Sequence, residues 1–253
     1  MQLTSDGSSN LRQVQEVLST DAAFSAEVLR LANSPLLGAR REVVSILQAV
    51  AILGFERIKA LTNTLALRMF LSGKPSGALQ MCWRHNLAVA VVSERLATYV
   101  DMNSDACYTA GLLHDVGRLA LLCASPSRYE EILARPNASD PDLLQSEISA
   151  FGVDHCEAGA LLLRQWGFPP ELCDVALWHH RKPERDATGL LPIVYAASGM
   201  ADVFGFQLGP GVANLAAVAD VLPAPLWRSV LADFDRIADY TAFRINALEC
   251  SLP

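Results

Sequence analysis

Apolar positions recur at helical spacing along almost the whole chain, and no window alternates convincingly at period two. Leu11, Val14, Val17 and Leu18, then Val28, Leu29 and Leu31, predict two short helices over 10–31, with the turn-like Ser19-Thr20-Asp21 between them. Asn33-Ser34-Pro35 stops the second, because a residue before proline is pushed out of the α region. Ser45 to Leu53 predicts a short amphipathic helix ended by Gly54, and Phe55 to Leu71 a longer one. Ser72-Gly73-Lys74-Pro75-Ser76-Gly77 reads as a linker and a subdomain boundary.

Beyond it, Ala78 to Val100 predicts a long helix. Ser104 or Asp105 caps the next, which runs on to about Cys123, and Pro126 and Pro136 punctuate the region after it. Asp140-Pro141 opens a further helix with an acceptor at the cap and proline at the first position. Asp154 followed by Glu157 has the form of a capping box, and Pro169-Pro170 opens a helix ending near His180. Leu191 to Phe204 is one more, and after Leu222-Pro223-Ala224-Pro225 a last amphipathic helix runs to about Leu248. Its apolar positions suit packing on the N-terminal lobe or on a dimer partner. The fold class is all-α.

The 253 residues are 51% apolar and 19% charged, which excludes a disordered chain. A net charge of −7 argues against a nucleic-acid partner, and Arg40, Arg41, Arg57 and Lys59 read as a solvated face. None of the six cysteines has CxxC spacing, so they read as reduced thiols of a cytoplasmic protein, all but Cys250 in apolar helical stretches. No basic stretch followed by an apolar run opens the chain, so no signal peptide is expected. The apolar stretch from Gly189 to Phe206 carries Pro192 and Asp202 and reads as a buried helix, with no membrane partner.

The candidate chemistry lies in the five histidines, His85, His114, His155, His179 and His180. Asp115 follows His114, His179 and His180 are adjacent at a helix end, and Asp202 lies along an apolar helix. Imidazole with carboxylate suits iron, manganese, zinc and similar divalent ions. Taken singly, each has a structural reading: His85 as a hydrogen-bonded core or surface group, the histidine pair on a helix dipole, Asp202 on a surface. Adjacent helical residues point about 100° apart, so one pair serves two centres or one centre and its surroundings. A buried aspartate is costly unless paired or coordinated.

In order, these residues resemble the HD-domain superfamily, and most closely the two-metal arrangement of its HD-GYP branch. The contexts agree: Trp83-Arg84-His85, Gly111-Leu112-Leu113-His114-Asp115-Val116-Gly117, His155 just before Glu157-Ala158-Gly159, and Trp178-His179-His180. The resemblance implies one metal on His85, His114, Asp115 and Asp202. It implies a second on His155, His179 and His180, with Asp115 bridging. Two divalent ions, iron or manganese favoured, would activate a water to attack phosphorus. Asp115 and Arg118 are the expected catalytic residues.

Two departures stand against catalysis. Arg118 replaces the lysine of the HDxGK motif, and no Gly-Tyr-Pro follows the histidine pair. Arg181, Lys182 and Arg185 there either face a phosphate or are solvated.

The N-terminal half is similar to the HDOD signature: Asp21, Leu29-Arg30-Leu31-Ala32-Asn33-Ser34-Pro35, Ser45-Ile46, Gln48-Ala49-Val50 and Leu53-Gly54. This resemblance covers roughly residues 11 to 205. It implies an N-terminal helical lobe over 1–72, an HD-like metal-site lobe over 78–205, and C-terminal helices over 206–253 packing on the bundle. It further implies a bacterial signal-transduction module with a protein partner in its pathway, and leaves room for a nucleotide ligand and a homodimer. The alternative is a metal-dependent phosphohydrolase acting on a nucleotide or cyclic dinucleotide, and a weaker one is a metal-free helical scaffold.

Overall fold

The computed structural model describes residues 28–30, 32–33, 43–71, 76–134, 140–184, 187–208 and 215–250. Most of the expected helices over 10–31 lie outside them, as do Arg40, Arg41, Arg185 and the linker's residues 72–75. Every regular element among the described residues is a helix, so the protein is all-α. The chain forms two compact units, Met1–Ser72 with Asn246–Pro253, and Gly73–Ile245.

In the first unit, helix α1 (Ile46–Leu53) starts where the Ser45 side chain accepts from Gln48 N, and it stops at Gly54. It packs on α2 (Phe55–Leu71). Asn33 does more than end a helix. Its Nδ2 donates to Leu29 O and Val43 O, and its Oδ1 accepts from Val43 N at 2.7 Å. One side chain thereby satisfies both backbone groups of a residue ten positions away.

The second unit is built round α3 (Gly77–Ala97), capped by Ser76, whose hydroxyl accepts from Leu79 N. Leu87 to Val92 are all fully buried. A helix apolar all round must be enclosed by others. Helix α4 (Ser104–Leu113) and the later α10 (Leu190–Ala201) cover it, while α5 (Val116–Ala124) packs on α8 (His155–Gln165), and α8 on α9 (Pro170–Trp178). Between them run α6 (Pro126–Leu133), opened by its proline, and α7 (Asp140–Phe151). Asn103, not Ser104 or Asp105, caps α4, accepting from Ala106 N. Asp154 caps α8 as its spacing to Glu157 predicts.

Two expected helices are interrupted. The one from 104 to about 123 breaks at His114-Asp115, where Asp115 has φ −114° and ψ 26°, outside the α region. Two glycines hold the halves to different neighbours. A Cβ at Gly111 would come within 2.7 Å of Val89 O on α3, and one at Gly117 would overlap His155 O on α8. Hydrophobic spacing runs through the break because both halves are buried. The last helix divides at Asp233 into α12 (Ala224–Ala232) and α13 (Phe234–Cys250), after a short α11 (Leu215–Ala219). The Asp233 carboxylate accepts from Tyr99 OH at 2.6 Å and from Arg236 Nη1 at 2.9 Å.

The tail is also tied to α3 by a buried ion pair, Arg244 Nη1 to Glu94 Oε2 at 3.0 Å. Among the described residues, no helix is long and apolar enough to cross a membrane. Cys82, Cys107, Cys123, Cys156 and Cys173 are free thiols.

Candidate metal centre

Five elements deliver the site. His85 comes from the middle of α3, His114 and Asp115 from the α4–α5 break, and Arg118 from the first turn of α5. His155 opens α8, and His179 and His180 end α9. The rings form one continuous arc. His85 lies 5.4 Å from His114 between centroids, His114 5.0 Å from His179, and His179 5.4 Å from His155 and 4.3 Å from His180. The helix break matters here. An unbroken α4–α5 helix would point His114 and Asp115 about 100° apart.

Backbone and carboxylate acceptors set the imidazole tautomers. Nδ1–H of His85 donates to Phe206 O, of His114 to Gly111 O, of His155 to Glu147 Oε2 and of His179 to Ala176 O. Each leaves Nε2 unprotonated, the second-sphere pattern that prepares a histidine for a cation; that of His155 lies 2.9 Å from His180 Nε2. Burial pushes the His114 imidazolium down to about 3. Burial, with the neighbouring rings, lowers His179 far below the usual histidine range, and burial with the Arg118 charge lowers His155. These three rings are therefore neutral at pH 7, as ligation requires.

Asp115 is the centre of the cluster. Burial would raise its carboxyl, but Arg118 and then the surrounding imidazoles hold it well below the usual carboxylate range. Its Oδ1 lies 3.5 Å from His155 Nε2 and 4.0 Å from His179 Nε2. Asp115 Oδ1 and His179 Nε2 are buried with no hydrogen-bond partner among the described residues. Two converging unpartnered lone pairs are costly unless a cation satisfies them. The residues thus fit a divalent metal. The donors fall into two groups, His85 with His114 and Asp115, and His155 with Cys156, His179 and His180.

Asp202 stands apart from the buried donors. It caps the end of α10, where one π-helical turn (Asp202–Phe206) follows, and its side chain is 36% exposed. Its carboxylate lies 3.6 Å from His85 Nδ1, the nitrogen that serves Phe206 O. It is not the buried aspartate that the apolar stretch suggests.

Arg118 also differs from expectation. It is 3% exposed and turned inward, with Nε donating to Asp115 Oδ2 at 2.5 Å and Nη2 to His155 Nε2 at 3.1 Å. Arg181 instead lies over the Trp178 ring, and Lys182 pairs with Asp220 at the surface.

Three participants carry no sequence signal. Glu147, fully buried on α7, accepts from the His155 ring and, at 2.8 Å, from the His155 backbone N–H. Tyr129 OH donates to Glu147 Oε1. Burial would raise the Glu147 carboxyl, but the hydrogen bond and charge of His155 hold it down. Cys156, a core thiol by its sequence setting, places its Sγ among the histidines of the second group. Burial raises that thiol.

The HDOD domain family model matches residues 1–182. An HDOD domain protein of unknown function from Geobacter sulfurreducens is 26% identical with a TM-score of 0.60, covering 91% of this chain and 85% of that one. A protein from Marinobacter aquaeolei VT8, provisionally named for signal transduction, has a TM-score of 0.71 at 21% identity. That match covers 98% of this chain and 56% of the other, and at this identity it shows the shared fold. An uncharacterized protein of Treponema pallidum (strain Nichols) is 26% identical over 179 residues. The match takes in 68% of this chain, which spans about a third (34%) of that relative's length.

Proposed function

Because the chain belongs to the HDOD domain family, we propose that it is a regulatory module of bacterial signal transduction whose HD-like body carries a divalent metal site. The observation that carries the metal is the unpartnered pair Asp115 Oδ1 and His179 Nε2, set among neutral imidazoles. His85, His114 and Asp115 would hold an ion, and His155, His179 and His180 offer a second group of nitrogens, with iron or manganese the favoured metals. The first ion would neutralise the buried carboxylate and join helix α3 to the α4–α5 break. Such an ion biases a signalling module only by binding one of its states more tightly. The output would pass to a protein partner in the cytoplasm.

The absence of Gly-Tyr-Pro after His180 and the inward lock of Arg118 support regulation over turnover. The complete histidine set favours a second reading, a metal-dependent phosphohydrolase acting on a nucleotide or cyclic dinucleotide. In that reading the ion would lower the pKa of a bound water and polarise a phosphoryl oxygen. The deciding test is hydrolysis of a nucleotide panel by the protein loaded with iron, manganese, cobalt or nickel under reducing conditions. No turnover is expected. Turnover at physiological substrate levels that disappears in His114→Ala would overturn the regulatory reading.

A further inference from the structure

The surroundings of Asp115 decide how many ions the cluster takes. A carboxylate that bridges two metals most often gives one oxygen to each. Asp115 has already given Oδ2 to the Nε–H of Arg118 at 2.5 Å. Nη2 of the same guanidinium lies 3.1 Å from His155 Nε2. That nitrogen is the only one His155 has left for a metal, because its Nδ1–H serves Glu147.

The guanidinium is also held from behind. Nη1 lies 3.4 Å from Tyr129 OH and 4.0 Å from Glu147 Oε1, and the Tyr129 hydroxyl is itself fastened to Glu147. Arg118, Tyr129, Glu147 and His155 thus close a ring in which each side chain is buried. An arginine stays charged in a protein, so this positive charge is permanent.

Charge balance points the same way. Asp115 and Glu147 are the carboxylates buried in the cluster, and Arg118 neutralises one of their two charges. One divalent ion leaves a modest excess that Asp202 offsets. A second would place two dications and a guanidinium on shared donors in a low-dielectric interior.

From this geometry we infer that the Arg118 guanidinium is a built-in cation occupying the role of the second ion, so that the chain binds one divalent ion, on the His85–His114–Asp115 group, through Asp115 Oδ1. The inference rests on the metal-module reading and specifies its stoichiometry.

The test is elemental mass spectrometry on protein purified anaerobically, loaded with Mn²⁺ and desalted. One ion per chain is expected in the wild type and two in Arg118→Met, which removes the charge and keeps much of the volume. Two ions in the wild type overturn the inference and leave the metal module standing. One ion in both overturns the role given to Arg118. None in the wild type overturns the metal reading itself. Should Arg118→Met fail to fold by circular dichroism, anomalous scattering at the manganese edge from wild-type crystals decides. A single peak by His85, His114 and Asp115 supports the inference, and a further peak by His155, His179 and His180 sinks it.

Discussion

Gly117 lies against the backbone of His155 so closely that a methyl group at position 117 would overlap the His155 carbonyl oxygen. The obstacle is main chain, which cannot swing aside as a side chain can. Gly117→Ala is therefore expected to force α5 off α8, at the upper end of the roughly 1–3 kcal/mol that overpacking costs. Urea unfolding measures it, and an unchanged midpoint would show that the contact yields.

That the five histidines and Asp115 belong together was legible in the sequence from their order and local contexts; that Gly111 and Gly117 are positions of close backbone approach was not, because their spacing does not show which helix each one faces. Nor were Glu147 and Tyr129 legible. A glutamate on an amphipathic helix is ordinarily solvated, and nothing in its spacing to Tyr129 or His155 shows that three helices converge there. The three-residue spacing of Asp115 and Arg118 does permit an ion pair on one helix face. Its burial, which makes Arg118 part of the cluster, is a tertiary property. The α4–α5 break was hidden for a different reason: apolar residues flank it on both sides, so periodicity carries straight through.

The Glu94–Arg244 pair provides a separate check on the body's packing. Arg244→Ala removes the guanidinium from beside a buried carboxylate and is expected to cost about 3–5 kcal/mol. The double variant Glu94→Leu, Arg244→Met replaces both charges with apolar volume and should recover most of that loss. Chemical denaturation of the two proteins measures the difference, and equal destabilisation in both would contradict it.

Acid should weaken the metal-free protein. An unfolded imidazole takes a proton near 6.5, whereas buried His114 resists until about 3. Between those values the unfolded chain binds the extra proton, so stability falls as pH falls and the contribution is gone below about 3. The depressed Asp115 carboxyl adds to the loss in the acid part of that range. In the presence of chelator, the urea midpoint at pH 5 is expected below that at pH 7, with a smaller drop in His114→Asn. A midpoint that holds steady would count against neutral buried rings.

Metal binding should appear directly in stability. Mn²⁺ at about a hundred times its dissociation constant is expected to raise the unfolding free energy by about 2.7 kcal/mol. The His114→Ala, Asp115→Ala double variant should show no such rise. Thermal unfolding with and without chelator measures both, and an equal rise in both proteins would place the ion elsewhere.

The break at His114-Asp115 has a consequence for the economy of the chain. Gly111 commits the segment before it to α3, and Gly117 commits the segment after it to α8. The side chains gathered near that joint are distant in sequence, from His85 on α3 to His179 at the end of α9. A cation held by His85, His114 and Asp115 would cross-link α3 to that joint, closing the stretch of chain between residues 85 and 114. Its stabilising effect would then come largely through the entropy it removes from the unfolded chain. The bound state would then differ from the free one mainly in how tightly α3 is held to that joint.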